Sequence, residues 1–413
     1  MFLFLAATLC TGSAALVTAP LARRPLTTAA LAAAAQLSAS RGPALVPVSN
    51  YLLAEYTTNV SVGTPPASFR MVLDTASGNT WLPTPACNDF VANPACMYQR
   101  KYNSAADSSY RPCTGVFCLF ICPETDNNST LLGSLGNTTF SLAGSSLTAG
   151  SAAFGMVSAE PLPRLAGQAF DGVVGLAFQN GSTVPLLAPP APLLDVMLAE
   201  GALPAPVFSL FLTRGDKAGG AGGASAWVLG GADAASYAAG PFVTLPPFPI
   251  WQPVLGLWAV QMDYVFVNAF LTTACDKCIA VVDTSTPYIS GPPSAIEKVA
   301  SLVGPISQDC SNLGALPNIT LVLGGQGFAL TPSDYVLRLP HDDYNQTLVC
   351  TSALQGFDSS GGILPLWILG TSFLRTCVLA TSAPPPPPAF ARACVAPLLH
   401  RPPILPPTPL PFP

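Results

Sequence analysis

The sequence predicts a mostly β protein built from two lobes. Its 413 residues are more than one ordinary hydrophobic core accommodates, so we expect two packed units. Short apolar runs separated by turn-forming residues predict strands, as at Ser68–Leu73, Trp227–Gly230 and Ile319–Leu323. A short pattern that occurs once in each half predicts that the two lobes are built alike.

The composition excludes several classes of protein. Apolar residues make up 50% of the chain and charged residues 9%, which is the reverse of a disordered protein. The 21 acidic residues outnumber the 16 basic ones, which argues against nucleic acid as a partner. No interior apolar run has the length needed to cross a bilayer, so we expect no membrane span in the mature protein.

The N-terminal segment differs from the rest of the chain. Residues 1–16 are apolar and then small, as in a secretory signal peptide, although they lack a basic residue; the alternative is a buried strand. Residues 17–47 contain Arg23, Arg24 and Arg41 and no acidic residue. Such a basic segment can dock on an acidic body as an inhibitory propeptide that falling pH releases. The alternative is a disordered Ala-rich linker.

The cysteines and glycosylation motifs agree with the secretory pathway, which leads to the outside of the cell or to a vacuole or lysosome. There are 12 cysteines, and short-range pairs in a secreted chain indicate disulfides. Cys275-x-x-Cys278 could hold zinc, but His341 and His400, the only histidines, are not in metal spacing. A disulfide is therefore predicted there, and no metal. The N-glycosylation motifs lie at Asn59, Asn127, Asn128, Asn137, Asn180, Asn318 and Asn345.

The pattern that occurs twice is apolar-apolar-Asp-Thr-small-hydroxyl, at Val72–Ser77 and Val281–Thr286. Each copy follows strand-like residues and precedes an apolar-apolar-Gly triplet, at Val173–Gly175 and Ile368–Gly370. One Asp-Thr pair alone is most simply a turn or a helix cap. Two copies with matching triplets instead favour two related lobes that each present one carboxylate.

Two carboxylates on facing turns suit proton-transfer chemistry. Like charges at that separation cannot both ionise, so the pair shares one proton. The ionised member can activate a water while the protonated member polarises a peptide carbonyl. Asp74 and Asp283 are therefore the predicted catalytic residues. The hydroxyl groups expected to orient this dyad and hold its turns in register are those of Thr75, Ser77, Thr284 and Thr286.

These motifs, in this order, resemble the pepsin family (peptidase family A1) over roughly residues 43–397. The matching stretches include Val62–Pro66, Phe69–Thr75, Trp81–Pro83, Phe170–Leu176, Val281–Pro292 and Trp367–Gly370. The resemblance implies the bilobal pepsin-like acid protease fold, with an active-site cleft between two homologous lobes and a hairpin flap over it. It further implies a monomeric zymogen-derived endopeptidase that cleaves protein or peptide substrates at acidic pH without a cofactor.

The resemblance also assigns residues and boundaries. It implies disulfides Cys87–Cys96, Cys275–Cys278 and Cys310–Cys350, and leaves the partners of five further cysteines undetermined: Cys113, Cys118, Cys122, Cys377 and Cys394. The cleft residues that it implies are Ala76, Ser285 and Trp81, of which Trp81 matches the family tryptophan behind the flap tyrosine. The expected lobes are residues 48–213 and 214–397, followed by a Pro-rich disordered tail at 398–413.

The chain departs from the family pattern at the motif and at the flap. Ala76 and Ser285 stand where the family has Gly, and Pro123 stands where it has the flap tyrosine. These changes leave open a catalytically impaired member of the fold that serves as a binding or inhibitor protein. A serine or cysteine hydrolase is disfavoured, because Gly-x-Ser-x-Gly is absent and His341 is the only histidine in the body of the chain.

Overall fold

A computed structural model gives the structure of the chain. It describes residues 43–51, 55–89, 95–121, 130–160, 170–179, 190–213, 225–237, 242–245, 256–340, 348–357, 366–382 and 390–393. The signal peptide, most of the propeptide and the tail predicted above lie outside these ranges. Among the described residues, no helix has both the length and the apolar character that crossing a bilayer requires.

Strands dominate the described structure. They are β1 (Ala44–Tyr51), β2 (Glu55–Val62), β3 (Ala67–Asp74), β4 (Trp81–Pro83), β5 (Arg111–Ile121), β6 (Thr130–Leu142), β7 (Thr148–Ala159), β8 (Gly172–Gly175), β9 (Val207–Phe211), β10 (Ser225–Leu229), β11 (Val243–Leu245), β12 (Ala259–Val267), β13 (Phe270–Val282), β14 (Ile289–Gly291), β15 (Ile319–Leu323), β16 (Gln326–Leu330), β17 (Val336–Pro340), β18 (Leu348–Ser352), β19 (Leu354–Gly356), β20 (Leu366–Leu369), β21 (Val378–Ser382) and β22 (Phe390–Ala393).

The helices are short. They are α1 (Leu193–Ala199), α2 (Ala234–Tyr237), α3 (Pro293–Val303), α4 (Pro332–Tyr335) and α5 (Thr371–Leu374), with 3-10 turns at Ala95–Met97, Ser104–Ala106 and Leu313–Ala315. The longest, α3, begins with Pro293 at its first turn and ends before Gly304, whose φ of 82° suits glycine.

The described strands form two large sheets. The first has the order β11-β22-β21-β9-β10-β1-β2-β3-β8-β4-β7-β6-β5, the second β16-β15-β12-β13-β20-β14-β19, and β17 pairs with β18. This mostly β architecture confirms the bilobal pepsin-like fold that the resemblance implies.

The same three-strand arrangement occurs in both sheets. In the first, β3 runs parallel to β8, and β4 pairs antiparallel with β8 on the other side. In the second, β13 runs parallel to β20, and β14 pairs antiparallel with β20. The Asp-Thr pattern stands at the end of the first strand of each group. The Gly triplet lies on the central strand in the first group, and in the second group its Gly370 directly follows that strand. The sequence repeat is therefore also a structural repeat.

The glycine that ends each triplet lies against the turn that carries the aspartate. A Cβ on Gly175 would meet Asn79 N at 2.5 Å and the backbone of Gly78 closer still. A Cβ on Gly370 would overlap the carbonyl oxygens of Tyr288 and Thr286. Only glycine allows the turn and the central strand to approach this closely.

Strands from both ends of the described chain meet in the first sheet. β1 pairs with β10 from Ala44 to Val48, and β9 lies between β10 and β21. The predicted propeptide boundary after residue 47 therefore falls within β1. The predicted boundary between the lobes, after residue 213, adjoins residues 214–224, which are outside the described part.

Candidate active site

The two predicted catalytic aspartates occupy equivalent positions in the two repeats. Asp74 is the last residue of β3, and Asp283 directly follows β13. Asp74 is half-buried, whereas Asp283 is 1% exposed. Each carboxylate thus lies at the end of a strand that is buried over its last residues, on a turn rather than in a solvated loop.

The threonines after the aspartates join the two turns. Thr75 Oγ1 donates to the carbonyl oxygen of Val282 at 2.7 Å and accepts from Thr284 N at 3.1 Å. Thr284 Oγ1 donates to the carbonyl oxygen of Leu73 and accepts from Thr75 N at 3.1 Å. Both side chains are buried, so these reciprocal bonds form away from water. The turns that carry Asp74 and Asp283 are therefore held against each other.

The residues that replace the family glycines still donate to the carboxylates. Ala76 N donates to Asp74 Oδ1 at 2.8 Å, and Ser285 N donates to Asp283 Oδ1 at 2.7 Å. Among the described residues other than glycine, positive φ occurs only at Asn268, Lys277 and Cys310. The backbone at Ala76 and Ser285 therefore accommodates a Cβ without the strain of a left-handed conformation.

Ser285 also contributes its hydroxyl, which donates to Asp283 Oδ1 at 2.7 Å. From the sequence, Ser285 is expected only as a cleft residue in place of glycine, so this second donor was not predicted. The signal was present, because a serine two residues after an aspartate commonly bonds back to the carboxylate.

The two other hydroxyl groups accept hydrogen bonds within their own turns. Ser77 Oγ accepts from Asn79 N at 3.0 Å and from Asn79 Nδ2 at 3.3 Å. Thr286 Oγ1 accepts from Tyr288 N at 3.5 Å. A hydroxyl that accepts such bonds keeps its own proton for donation, as the predicted role of Ser77 and Thr286 requires.

Trp81 packs beneath the β5–β6 hairpin. It is 7% exposed and belongs to a small apolar cluster with Leu131, Leu135, Val157, Phe170 and Val173. The two strands of the hairpin pair antiparallel, from Ile121 opposite Thr130 to Arg111 opposite Asn137. Residues 122–129 between them, which include Pro123, are outside the described residues.

Tyr102 is buried, and its hydroxyl donates to Asp107 Oδ2 at 2.6 Å. This hydroxyl is therefore engaged in a structural contact.

Asp171, which precedes the first Gly triplet, has a structural role. It is 1% exposed and accepts from Arg70 N at 2.7 Å, Arg100 N at 3.0 Å and Arg100 Nε at 2.8 Å. These bonds fasten the segment around Arg100 to β3. The carboxylate therefore does not join the dyad.

The three cysteine pairs implied by the resemblance are bonded. Their Cα–Cα distances are 5.8 Å for Cys87–Cys96, 5.6 Å for Cys275–Cys278 and 5.3 Å for Cys310–Cys350. Cys113 is half-buried beside the Trp81 cluster, and Cys377 is buried before β21. The side chains of Cys118, Cys122 and Cys394 lie outside the described part.

A buried carboxyl lies beside the first disulfide. Glu160 is fully buried, and Gln99 Nε2 donates to its Oε1 at 3.4 Å. Burial raises the pKa of Glu160 to about 7 because the charged form loses hydration. Among the described residues, Cys87, Cys96 and Glu160 form the one cluster with metal-ligand types close together, but the two sulfurs are joined and offer no thiolate.

Comparison with known proteins identifies the family of the chain. The family model for eukaryotic aspartyl proteases matches residues 55–381. Napsin-A of Mus musculus is 34% identical over 355 residues, which cover 83% of this chain and 78% of that protein. Pepsin II-2/3 of Oryctolagus cuniculus is 31% identical over 337 residues, which cover 79% and 78%. Renin of Canis lupus familiaris is 30% identical over 348 residues, which cover 82% and 79%. The chain therefore belongs to the eukaryotic aspartyl protease family, and its enzyme class is that of the aspartic-type endopeptidases.

Proposed function

We propose that the protein hydrolyses peptide bonds in protein or peptide substrates, at acidic pH, with Asp74 and Asp283 as a dyad that shares one proton. The observation that carries this proposal is the set of reciprocal bonds between Thr75 and Thr284, which join the two aspartate turns. Two carboxylates on turns joined in this way can hold one proton between them, because ionising both would place like charges together.

The reaction needs only the dyad and a water. The ionised carboxylate removes a proton from the water, whose oxygen bonds to the scissile carbonyl carbon. The protonated carboxyl donates its proton to the carbonyl oxygen as that oxygen gains charge. Return of a proton to the amide nitrogen then allows the carbon–nitrogen bond to break. Acidic pH is required because the dyad works with one proton bound.

The unstrained backbone at Ala76 and Ser285 supports catalysis over the alternative of a binding protein. Both residues still donate an N–H to the neighbouring carboxylate, at 2.8 Å and 2.7 Å. Loss of the family glycines is therefore a weak argument for loss of activity.

The proposal extends to processing and location. We propose that residues 1–16 direct the chain into the secretory pathway and that residues 17–47, with Arg23, Arg24 and Arg41, act as an inhibitory propeptide. The active form would then be found outside the cell or in an acidic compartment.

The test is cleavage of a denatured protein between about pH 2 and 6 by the acid-activated chain, with and without a statine-type transition-state analogue. Asp74→Asn and Asp283→Asn should each abolish cleavage and leave circular dichroism and thermal unfolding close to those of the wild type. Asp276→Asn is the matched control, since Asp276 is exposed on β13. A wild type that folds, loses its propeptide and still cleaves nothing would favour the binding protein.

A further inference from the structure

The two aspartate turns differ in the residue that follows the threonine. Asp283 Oδ1 accepts from both the N–H and the hydroxyl of Ser285, each at 2.7 Å. Asp74 Oδ1 accepts from the N–H of Ala76 at 2.8 Å, and an alanine has no hydroxyl to add. The pair is therefore not symmetric at the two positions that follow the threonines.

The additional donor lies on the more deeply buried carboxylate. Asp283 is 1% exposed, whereas Asp74 is half-buried. Burial alone disfavours the ionised form of a carboxyl, and a hydroxyl directed at the carboxylate favours that form. The Ser285 hydroxyl thus counteracts the effect of burial at the residue where burial is greatest.

The described elements beside Asp283 carry few other titratable residues. Asp74 is on the facing turn, and Tyr288 is on the same turn as Asp283. β20, which runs beside β13, contributes only apolar residues, and Arg375 beyond it directs Nη2 to a backbone carbonyl at 2.8 Å. The titratable side chains of β12 and β13 lie further along those strands: Asp263, Tyr264, Asp276 and Lys277.

The same local geometry has a clear effect elsewhere in the chain. Ser311 donates to Asp309 Oδ1 from its N–H at 3.0 Å and from its hydroxyl at 2.7 Å. The pKa of Asp309 is lowered, and the largest cause is the Ser311 hydroxyl. This surface pair shows in which direction a serine two residues after an aspartate acts.

We propose that Ser285 is a positioning residue that keeps the shared proton of the dyad on Asp74 by stabilising ionised Asp283. Asp283 is then the base that takes a proton from the water as the water oxygen bonds to the carbonyl carbon. Asp74 gives its proton to the carbonyl oxygen in the same step. This inference rests on the proposed function and adds to it the separate role of each aspartate.

The experiment compares the acid limb of the pH profile of kcat/KM in Ser285→Ala, Ser285→Thr and the wild type. The substrate is a quenched fluorescent peptide that contains a bond the wild type cleaves in a denatured protein. Ser285→Ala should move the acid limb upward by about 0.5 to 1 pH unit, the effect of one hydrogen bond to a carboxylate. Ser285→Thr retains a hydroxyl and should restore the wild-type limb. Ser311→Ala, which removes the same contact at the surface, should leave the limb unchanged.

An acid limb that stays in place in Ser285→Ala, with only kcat reduced, would overturn the inference and leave the proposed function intact. A folded wild type without activity would instead overturn the proposed function. In that event the free energy of unfolding still tests Ser285. If the hydroxyl stabilises the carboxylate, the difference between wild type and Ser285→Ala grows as the pH rises from about 2 to 6, and otherwise it is constant.

Discussion

Thr75 and Thr284 are 209 residues apart in sequence, yet each hydroxyl oxygen lies 3.1 Å from the backbone nitrogen of the other. Each hydroxyl in turn donates to the carbonyl oxygen of the residue that precedes the opposite aspartate. One pair of side chains therefore fixes the relative position of the two turns.

Removing one of these hydroxyls should destabilise the protein and reduce its activity. Thr75→Val keeps the shape of the side chain but leaves Thr284 N and the Val282 carbonyl without this buried partner. We expect a loss of about 1–3 kcal/mol in the free energy of unfolding, the usual cost of an unsatisfied buried polar group. Urea unfolding and kcat on a peptide substrate measure the two effects. Thr75→Ser keeps the hydroxyl and should remain near the wild type; equal losses in both variants would contradict the prediction.

The sequence predicted the parts of the site that depend on local pattern. An apolar strand followed by Asp-Thr predicts that each carboxylate lies on a turn at the end of that strand, because a buried strand must end in a turn. The recurrence of this pattern at Val281–Thr286 predicted a second, equivalent turn. The same repeat marks Gly370, and the structure adds the close approach that requires a glycine there.

Contacts between distant segments were not predictable in this way. Glu160 stands at the end of β7 before a proline, where a carboxyl would ordinarily face solvent. It is instead fully buried beside the Cys87–Cys96 disulfide, where Gln99 donates to it. Hydrophobic periodicity in the sequence does not indicate which distant residues will bury the end of a strand.

The fit of Gly370 against the second aspartate turn gives another prediction. In Gly370→Ala the new Cβ would overlap the carbonyl oxygens of Tyr288 and Thr286, so the turn that carries Asp283 must move. We expect a loss of stability of about 1–3 kcal/mol, as for overpacking, with a fall in kcat that exceeds any change in KM. Steady-state kinetics and thermal unfolding measure both.

Gly314→Ala is the control for this substitution, since no atom lies within 4 Å of a Cβ at that position. It should leave both stability and kcat close to the wild type. The explanation by close approach would fail if Gly370→Ala behaved as Gly314→Ala does.

The buried carboxyl of Glu160 should make the protein less stable as the pH approaches neutrality. Burial raises the pKa of Glu160 from 4.5 to about 7 in the folded protein. Between these values the unfolded chain releases the proton while the folded protein keeps it, so the free energy of unfolding falls as the pH rises. The full effect on the free energy of unfolding is about 3 kcal/mol. This stability is present below pH 4.5 and is lost by about pH 7.

Glu160→Gln keeps the shape of the side chain and cannot ionise, so it should remove this part of the pH dependence. We expect the variant to match the wild type near pH 4 and to be more stable by about 2–3 kcal/mol at pH 7. Denaturant unfolding from pH 4 to 7 measures this, with Asp74→Asn in every protein to prevent self-digestion. Glu297→Gln, at an exposed position on α3, should follow the wild type throughout. If Glu160→Gln lost stability toward pH 7 as steeply as the wild type, another group would have to account for the sensitivity to neutral pH.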